Sequence, residues 1–257
     1  MKLWKSIRLV SLISMPLIGE EITQKEKHSE LYIGPQGYYA NLKIEGISSK
    51  FHGGLFGGVL GYQYIKPKAL YFRIQADWAA GRLSTNQNNP SRYLHDENVE
   101  SNFGFTWQVN KWQIIPYTGY AFHYLIESRK ETEEFAAVKF KYQTYNIPLG
   151  MRIDYLFNNH YQLGLKAAWA FNIDPAVKIS GLSGALWQLA HKQGVRVDLP
   201  FQYNFGKKTK GALSLIPFFA WYELGHSLAV SDDGVPLGIT NQFFTYWGGL
   251  ATIAWKF

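Results

Sequence analysis

Period-two alternation of apolar and polar residues recurs in segment after segment of this chain. Between Leu70 and Gly81, the residues Leu70, Phe72, Ile74, Ala76, Trp78 and Ala80 share one parity, and Tyr71, Arg73, Gln75 and Asp77 the other. Successive side chains of a β-strand point to opposite faces, so this spacing builds a two-faced strand and no helix. Val99–Val109 repeats it, with Val99, Phe103, Phe105, Trp107 and Val109 against Glu100, Asn102, Gly104, Thr106 and Gln108. So do segments near Gln113–Ile126, Tyr142–Tyr155, Tyr161–Asn172 and Val195–Phe205. Further strands are expected at Tyr32–Ile44, in the glycine-rich Gly53–Ile65, near Leu213–Leu224, where either face could be apolar, and at the C-terminus. In the first of these, Tyr38, Ala40, Leu42 and Ile44 form the apolar row. The count is about ten, within 8–12.

Connections alternate between short and long. Lys66–Lys68, Asn110-Lys111, Asn158-Asn159 and Gly206–Gly211 are turns. Arg82–Asn98, Glu127–Glu134 and Ile173–Gln193 read as long loops, the last carrying a short helix over Ala185–His191. Such an order suits an up-and-down antiparallel barrel with an even number of strands.

The solvent around that barrel follows from volume. Hydrophobic residues make up 47% of the 257 residues and aromatic residues 17%, yet no apolar run reaches the roughly 20 residues a transmembrane helix needs. A barrel of about ten strands has a narrow interior. Phe72, Trp78, Phe103, Phe105, Trp107, Trp169, Phe201, Phe205, Trp247 and Trp255 would overfill it. The polar parity instead carries Gly104, Gly119, Ala121, Gly150, Gly164 and Ala168, which leave room for long polar side chains. The apolar face is therefore expected to meet lipid, and the all-β fold to be transmembrane. A soluble ligand-binding barrel with the apolar face inward is the alternative that volume disfavours.

The last strand carries a more particular signal. Phe243, Thr245, Trp247, Gly249, Ala251, Ile253, Trp255 and Phe257 share one parity and end on an aromatic residue. This resembles the C-terminal strand of small Gram-negative outer-membrane β-barrel proteins. The resemblance implies an outer-membrane location with long loops at the cell surface. It also implies that Phe257 and Trp255 form the signal read by the barrel assembly machinery. Outer-membrane lipids and that machinery would be the partners of a monomer. Lys2, Lys5 and Arg8 before the apolar Leu9–Ile18 read as a signal peptide ending at Gly19. Residues 20–30 would be a short periplasmic segment and 31–257 the barrel.

The inward face is expected to hold a balanced polar network: Arg73, Arg152, Lys166 and Arg196 against Asp77, Glu100, Asp154 and Asp198. Opposite charges in a confined interior are expected to pair. Asp77, Glu100 and His123 fall at similar heights on neighbouring strands. A His beside a carboxylate is the geometry of an acid–base pair, so these three are the candidates should the barrel be an enzyme. Barrel enzymes of the outer membrane include omptin proteases and lipid A deacylases. The chain lacks the paired Asp and Asp-x-His of the first, and no serine is placed beside His123 for the second. Glu223, His226 and Ser227 form a weaker set. No phosphate loop, H-x-x-x-H or G-x-S-x-G is present. With no cysteine, a thiolate metal site is excluded, and neither metal nor cofactor is expected. The net charge of +7 falls by three with the signal peptide, and no basic face with interleaved aromatics points to nucleic acid. The expected role is non-enzymatic: structural, adhesive or one of surface contact. A narrow channel for ions or small solutes is one alternative, and a hydrolase of lipid or peptide at the cell surface the other.

Overall fold

The computed structural model describes residues 28–85, 90–131, 137–180, 186–205, 210–230 and 236–257. The expected signal peptide, and part of the expected loop Arg82–Asn98, lie outside them. The described elements are all strands: β1 (His28–Ile44), β2 (Lys50–Ile65), β3 (Leu70–Leu83), β4 (Arg92–Phe105), β5 (Trp107–Val109), β6 (Trp112–Arg129), β7 (Val138–Leu156), β8 (Tyr161–Ile179), β9 (Leu186–Gln188), β10 (Gln193–Asp198), β11 (Phe201–Asn204), β12 (Gly211–Leu224), β13 (Ser227–Val230), β14 (Pro236–Ile239) and β15 (Gln242–Lys256). β4 and β5 form one stave, interrupted at Thr106. β10 and β11 form another, interrupted where Pro200 has no N–H to donate. Ten antiparallel staves result, each hydrogen-bonded to its neighbours in the chain. β15 closes the sheet on β1, with Leu31 opposite Trp255 and Tyr39 opposite Trp247. Closure pairs the first stave with the last, so the ten-stave sheet has no free first or last strand.

Two glycines of the first hairpin are fixed by close backbone approach. A Cβ on Gly34 would lie 1.8 Å from the carbonyl oxygen of Ala251, and one on Gly57 1.8 Å from that of Trp78. No larger residue fits either place without moving a neighbouring strand.

The apolar parity faces outward over most of the barrel. Phe56 is 73% exposed, Phe103 58% and Trp78 55%. The ambiguous ninth stave, β12, turns Leu213, Leu215 and Phe219 outward and Ser214, Phe218 and Ala220 inward. In β1 the expectation fails. Tyr38, Ala40, Leu42 and Ile44, read as the apolar and hence outward row, point into the barrel and are buried.

The reason is general to one end of the molecule, where the two faces exchange character. On β4, Val99, Phe103 and Phe105 point out and Glu100 in, but further along Leu94 is fully buried while His95 and Glu97 face out. On β7, Ile147, Leu149 and Met151 face out, whereas beyond Tyr145 the outward residues are Gln143, Lys141 and Lys139, and Tyr142 is buried. The inward residues at this end, among them Leu42, Phe51, Leu55, Leu83, Leu94, Leu125, Val177, Leu224 and Phe244, pack into one apolar core. The barrel therefore has a stretch with a polar interior and an apolar wall, continued by a stretch with an apolar interior and a polar wall.

That continuation corrects the expected loops. β3 runs to Leu83 and β4 starts at Arg92, so most of Arg82–Asn98 is strand. β6 runs to Arg129, which puts Glu127 inside a strand. β8 reaches Ile179. The helix expected over Ala185–His191 is absent from its described part: Leu186–Gln188 is strand β9, which pairs with the overhang of β8 through Trp187 opposite Val177. An open strand edge satisfies the backbone of these residues as a lone helical turn could not.

Candidate functional site in the barrel interior

β3, β4, β6, β7, β8 and β10 send the polar parity inward, and the side chains meet in two layers. The layer nearer the short turns is made of neighbouring ion-pair and hydrogen-bond groups. The Arg73 guanidinium is paired with Glu100 at 3.3 Å, and Lys166 reaches the same Glu100 oxygen at 3.2 Å. Arg152 is paired with Asp154 at 2.9 Å and donates to Gln63 at 2.6 Å. Gln63 and Gln202 each donate to Glu30 at 3.4 Å. Arg196 donates to Asp198 at 2.8 Å, and its guanidinium lies 4.4 Å from the centre of the Phe218 ring. Asp77 has no cation within ion-pair distance among the described residues. It accepts hydrogen bonds from Gln75 at 2.9 Å and Asn98 at 3.3 Å instead.

The second layer centres on His123. Its Nε2 lies 2.6 Å from Oδ1 of Asp96. The other Asp96 oxygen accepts the Tyr38 hydroxyl at 2.8 Å. The Tyr222 ring stands edge-on to His123 at 5.2 Å, and its hydroxyl is hydrogen-bonded to that of Tyr246. The expected trio of Asp77, Glu100 and His123 lines one cavity, but the carboxylate that touches His123 is Asp96. In the sequence Asp96 stands between the polar His95 and Glu97, so alternation gave no sign that it points inward. Glu223, His226 and Ser227 do not converge: Glu223 faces out and pairs with Lys192 at 2.9 Å, His226 is exposed and Ser227 is buried.

Two neighbouring cavities lie inside the barrel. One of about 150 Å³ is bordered by Tyr38, Asp77, Asp96, His123, Tyr222 and the small residues Ala121, Ala168, Ala170 and Gly194. One of about 70 Å³ is bordered by Glu30, Gln63, Arg73 and Arg152. Lys166, Arg196 and Asp198 border both, so their side chains stand between the two. Over the larger cavity lies the apolar core, crossed by the buried ion pair of Arg92 with Glu127. Among the described residues, no group of His, Asp and Glu is placed to hold a metal ion.

As chemistry, the described interior offers ion pairs, aromatic walls and the His123–Asp96 pair. His123 and Asp96 could exchange a proton with a ligand in the cavity; the hydroxyls of Tyr38, Tyr222 and Tyr246 are already hydrogen-bonded within the layer, and Thr144, directly opposite His123, lines the same cavity. At the short-turn end of the last stave, Phe257 is 70% exposed and Trp255 51%. The Phe257 ring lies 6.4 Å from that of Tyr62.

No family model and no curated relative matches the chain. Solved structures do. The outer-membrane protease OmpT from Escherichia coli superposes with a TM-score of 0.57 at 9% identity, over 93% of this chain and 99% of that one. The translocator domain of the autotransporter NalP from Neisseria meningitidis gives 0.49 at 10%, over 92% and 90%. Ail, the attachment invasion locus protein of Yersinia pestis, gives 0.40 at 11%, over 90% and 99%. At such identity the likeness to OmpT is one of architecture alone: this chain folds as a closed, all-β antiparallel barrel of ten staves, the architecture of a Gram-negative outer-membrane barrel.

Proposed function

We propose that the chain is an integral barrel of the Gram-negative outer membrane that conducts no solute and serves a structural or surface-contact role. The observation that carries this reading is the pairing of an apolar outer wall with an interior filled at two levels. An outward row such as Leu70, Phe72, Ile74 and Trp78, all at least 40% exposed, has no favourable place in water, since contiguous apolar surface of that size demands a partner or lipid. The paired backbone of a closed barrel is what permits such a wall to sit in hydrocarbon. Inside, the ion-pair layer and the apolar core each block the axis. The fold shared with OmpT supports the same location, but gives this chain no proteolytic chemistry.

A narrow channel is the second reading. It is favoured by the two neighbouring cavities, which share Lys166, Arg196 and Asp198 in their walls. Planar-bilayer recording of the refolded full-length protein separates the two. A plugged barrel should give no current steps, and the double variant Arg196→Ala, Asp198→Ala should add none, because the apolar core still closes the far end. Discrete steps from the unaltered protein would replace the plugged reading by the channel.

A further inference from the structure

Lysines face one another across two ladders of the barrel's polar-walled end. Lys141 on β7 is directly opposite Lys178 on β8, with Lys139 two residues further along β7. On the other side of the barrel, Lys43 on β1 is directly opposite Lys50 on β2. Like charges at directly opposed positions are unfavourable. Neither pair has a carboxylate within ion-pair distance among the described residues. Three outward carboxylates of this end are engaged elsewhere: Glu97 with His95 at 2.7 Å, Glu223 with Lys192 at 2.9 Å, and Glu45 with Asn241 at 2.6 Å. Asp174, exposed on β8 four residues before Lys178, forms no ion pair with Lys178 or Lys141.

Each pair stands four residues beyond an outward tyrosine. Lys43 follows the outward Tyr39 by four residues, and Lys141 precedes the outward Tyr145 by four. Tyr39 packs against Trp247 at 5.2 Å, and Tyr145 against Phe122 at 5.2 Å. These rings lie at the upper limit of the apolar wall, where an aromatic belt meets the membrane interface. Four residues span roughly 13 Å of strand at about 3.3 Å per residue. With strands tilted at about 40°, the lysine backbones lie roughly 10 Å beyond the rings. Flexible lysine stems reach back from there toward the headgroup layer.

We infer that these opposed lysines form two docking points for phosphate-bearing lipid headgroups of the outer leaflet, each anion bridging the two ammonium groups of a pair. The inference rests on the membrane reading above. It assigns the unmatched positive charge an occupant of complementary charge at the depth where lipid phosphates lie.

The test compares wild type with Lys141→Glu, both full-length, in phosphatidylcholine vesicles and in the same vesicles containing phosphatidic acid. In phosphatidylcholine the variant should have the higher urea midpoint, since Glu opposite Lys178 replaces repulsion by attraction. With phosphatidic acid the wild-type midpoint should rise by more than that of Lys141→Glu, which keeps only the Lys43–Lys50 point, so that the order of the two reverses. Lys43→Glu, opposite Lys50, should reverse independently. An unchanged order in both lipids overturns the inference. So does a wild-type rise produced equally by inorganic phosphate added to phosphatidylcholine vesicles. Co-flotation with the vesicles is measured first. Protein that fails to float overturns the membrane reading and this inference together, whereas protein that floats without reversal overturns this inference alone.

Discussion

Ile74 and Glu100 show how differently a single charge acts on the two faces of one wall. Ile74 is outward and 42% exposed, two residues from Phe72 and four from Trp78. Ile74→Arg near the middle of a bilayer should cost about 2–4 kcal/mol, read from reversible unfolding in vesicles. Glu100 lies between the cations of Arg73 and Lys166. Glu100→Gln leaves both without their carboxylate and should cost about 3–5 kcal/mol in the same assay, as for breaking a buried pair. A loss near zero at Glu100 would mean that water, not Glu100, solvates those cations. Strand parity alone made the inward direction of Arg73, Asp77, Glu100, Arg152, Asp154, Lys166, Arg196 and Asp198 legible. It did not reveal who touches whom. Gln75 shows the gap, because parity marks it as a harmless lumen position for an added charge. The structure places it in hydrogen-bond contact with the Arg73 guanidinium, with Tyr32 donating to it at 3.0 Å. An arginine there would set two guanidinium groups together.

At the scale of strands, the reading from sequence was sound wherever one phase of alternation held from end to end. β3, with its unbroken row from Leu70 to Ala80, was placed to within a few residues. The upper parts of β4 and β8 and the last residues of β6 were read as loop, and β7 was started at Tyr142, because the phase reverses there. A period-two pattern that flips reads as no pattern, although each half is regular. Leu94 inward beside His95 outward is the same alternation as Phe103 outward beside Asn102 inward, in opposite sense. The physical origin is a change of solvent along one strand, from lipid outside a polar lumen to water outside an apolar core. This predicts a topology. Single cysteines introduced at Ser91 and Ser180, beyond the apolar core, should react with a membrane-impermeant thiol reagent on intact cells. Cysteines at Lys68 and Asn159, in the short turns at the other end, should react only after the outer membrane is opened. Labelling of the turns in intact cells would invert the orientation. Core packing at the polar-walled end is also open to test, since Leu125→Ala removes a fully buried side chain and should cost about 2–5 kcal/mol.

For the molecule as a whole, closure is the property on which the rest depends, and Phe257 stands at one end of the closing seam. The backbone of Phe257 exchanges two hydrogen bonds with Ser29, both 3.0 Å, at the foot of the seam between β15 and β1. Its ring adds little to the folded barrel: it is 70% exposed and touches the rest chiefly through Tyr62. Deleting Phe257 therefore removes one short rung of a seam that continues from Glu30 opposite Lys256 to Ile44 opposite Gln242. Equilibrium stability should fall by only about 1–3 kcal/mol, and refolding in detergent should largely survive. Assembly in cells is a different matter if the terminal aromatic acts as its resemblance to outer-membrane barrels implies. There it must be recognised before the seam exists, while β15 still has an unpaired edge that hydrocarbon would penalise at several kcal/mol per group. The comparison is between two yields of the same truncated chain, refolded in detergent and inserted in the outer membrane. A large loss confined to the second assigns Phe257 to assembly. Equal recovery in both would make Phe257 an ordinary strand end and leave the apolar wall as the support for the membrane reading.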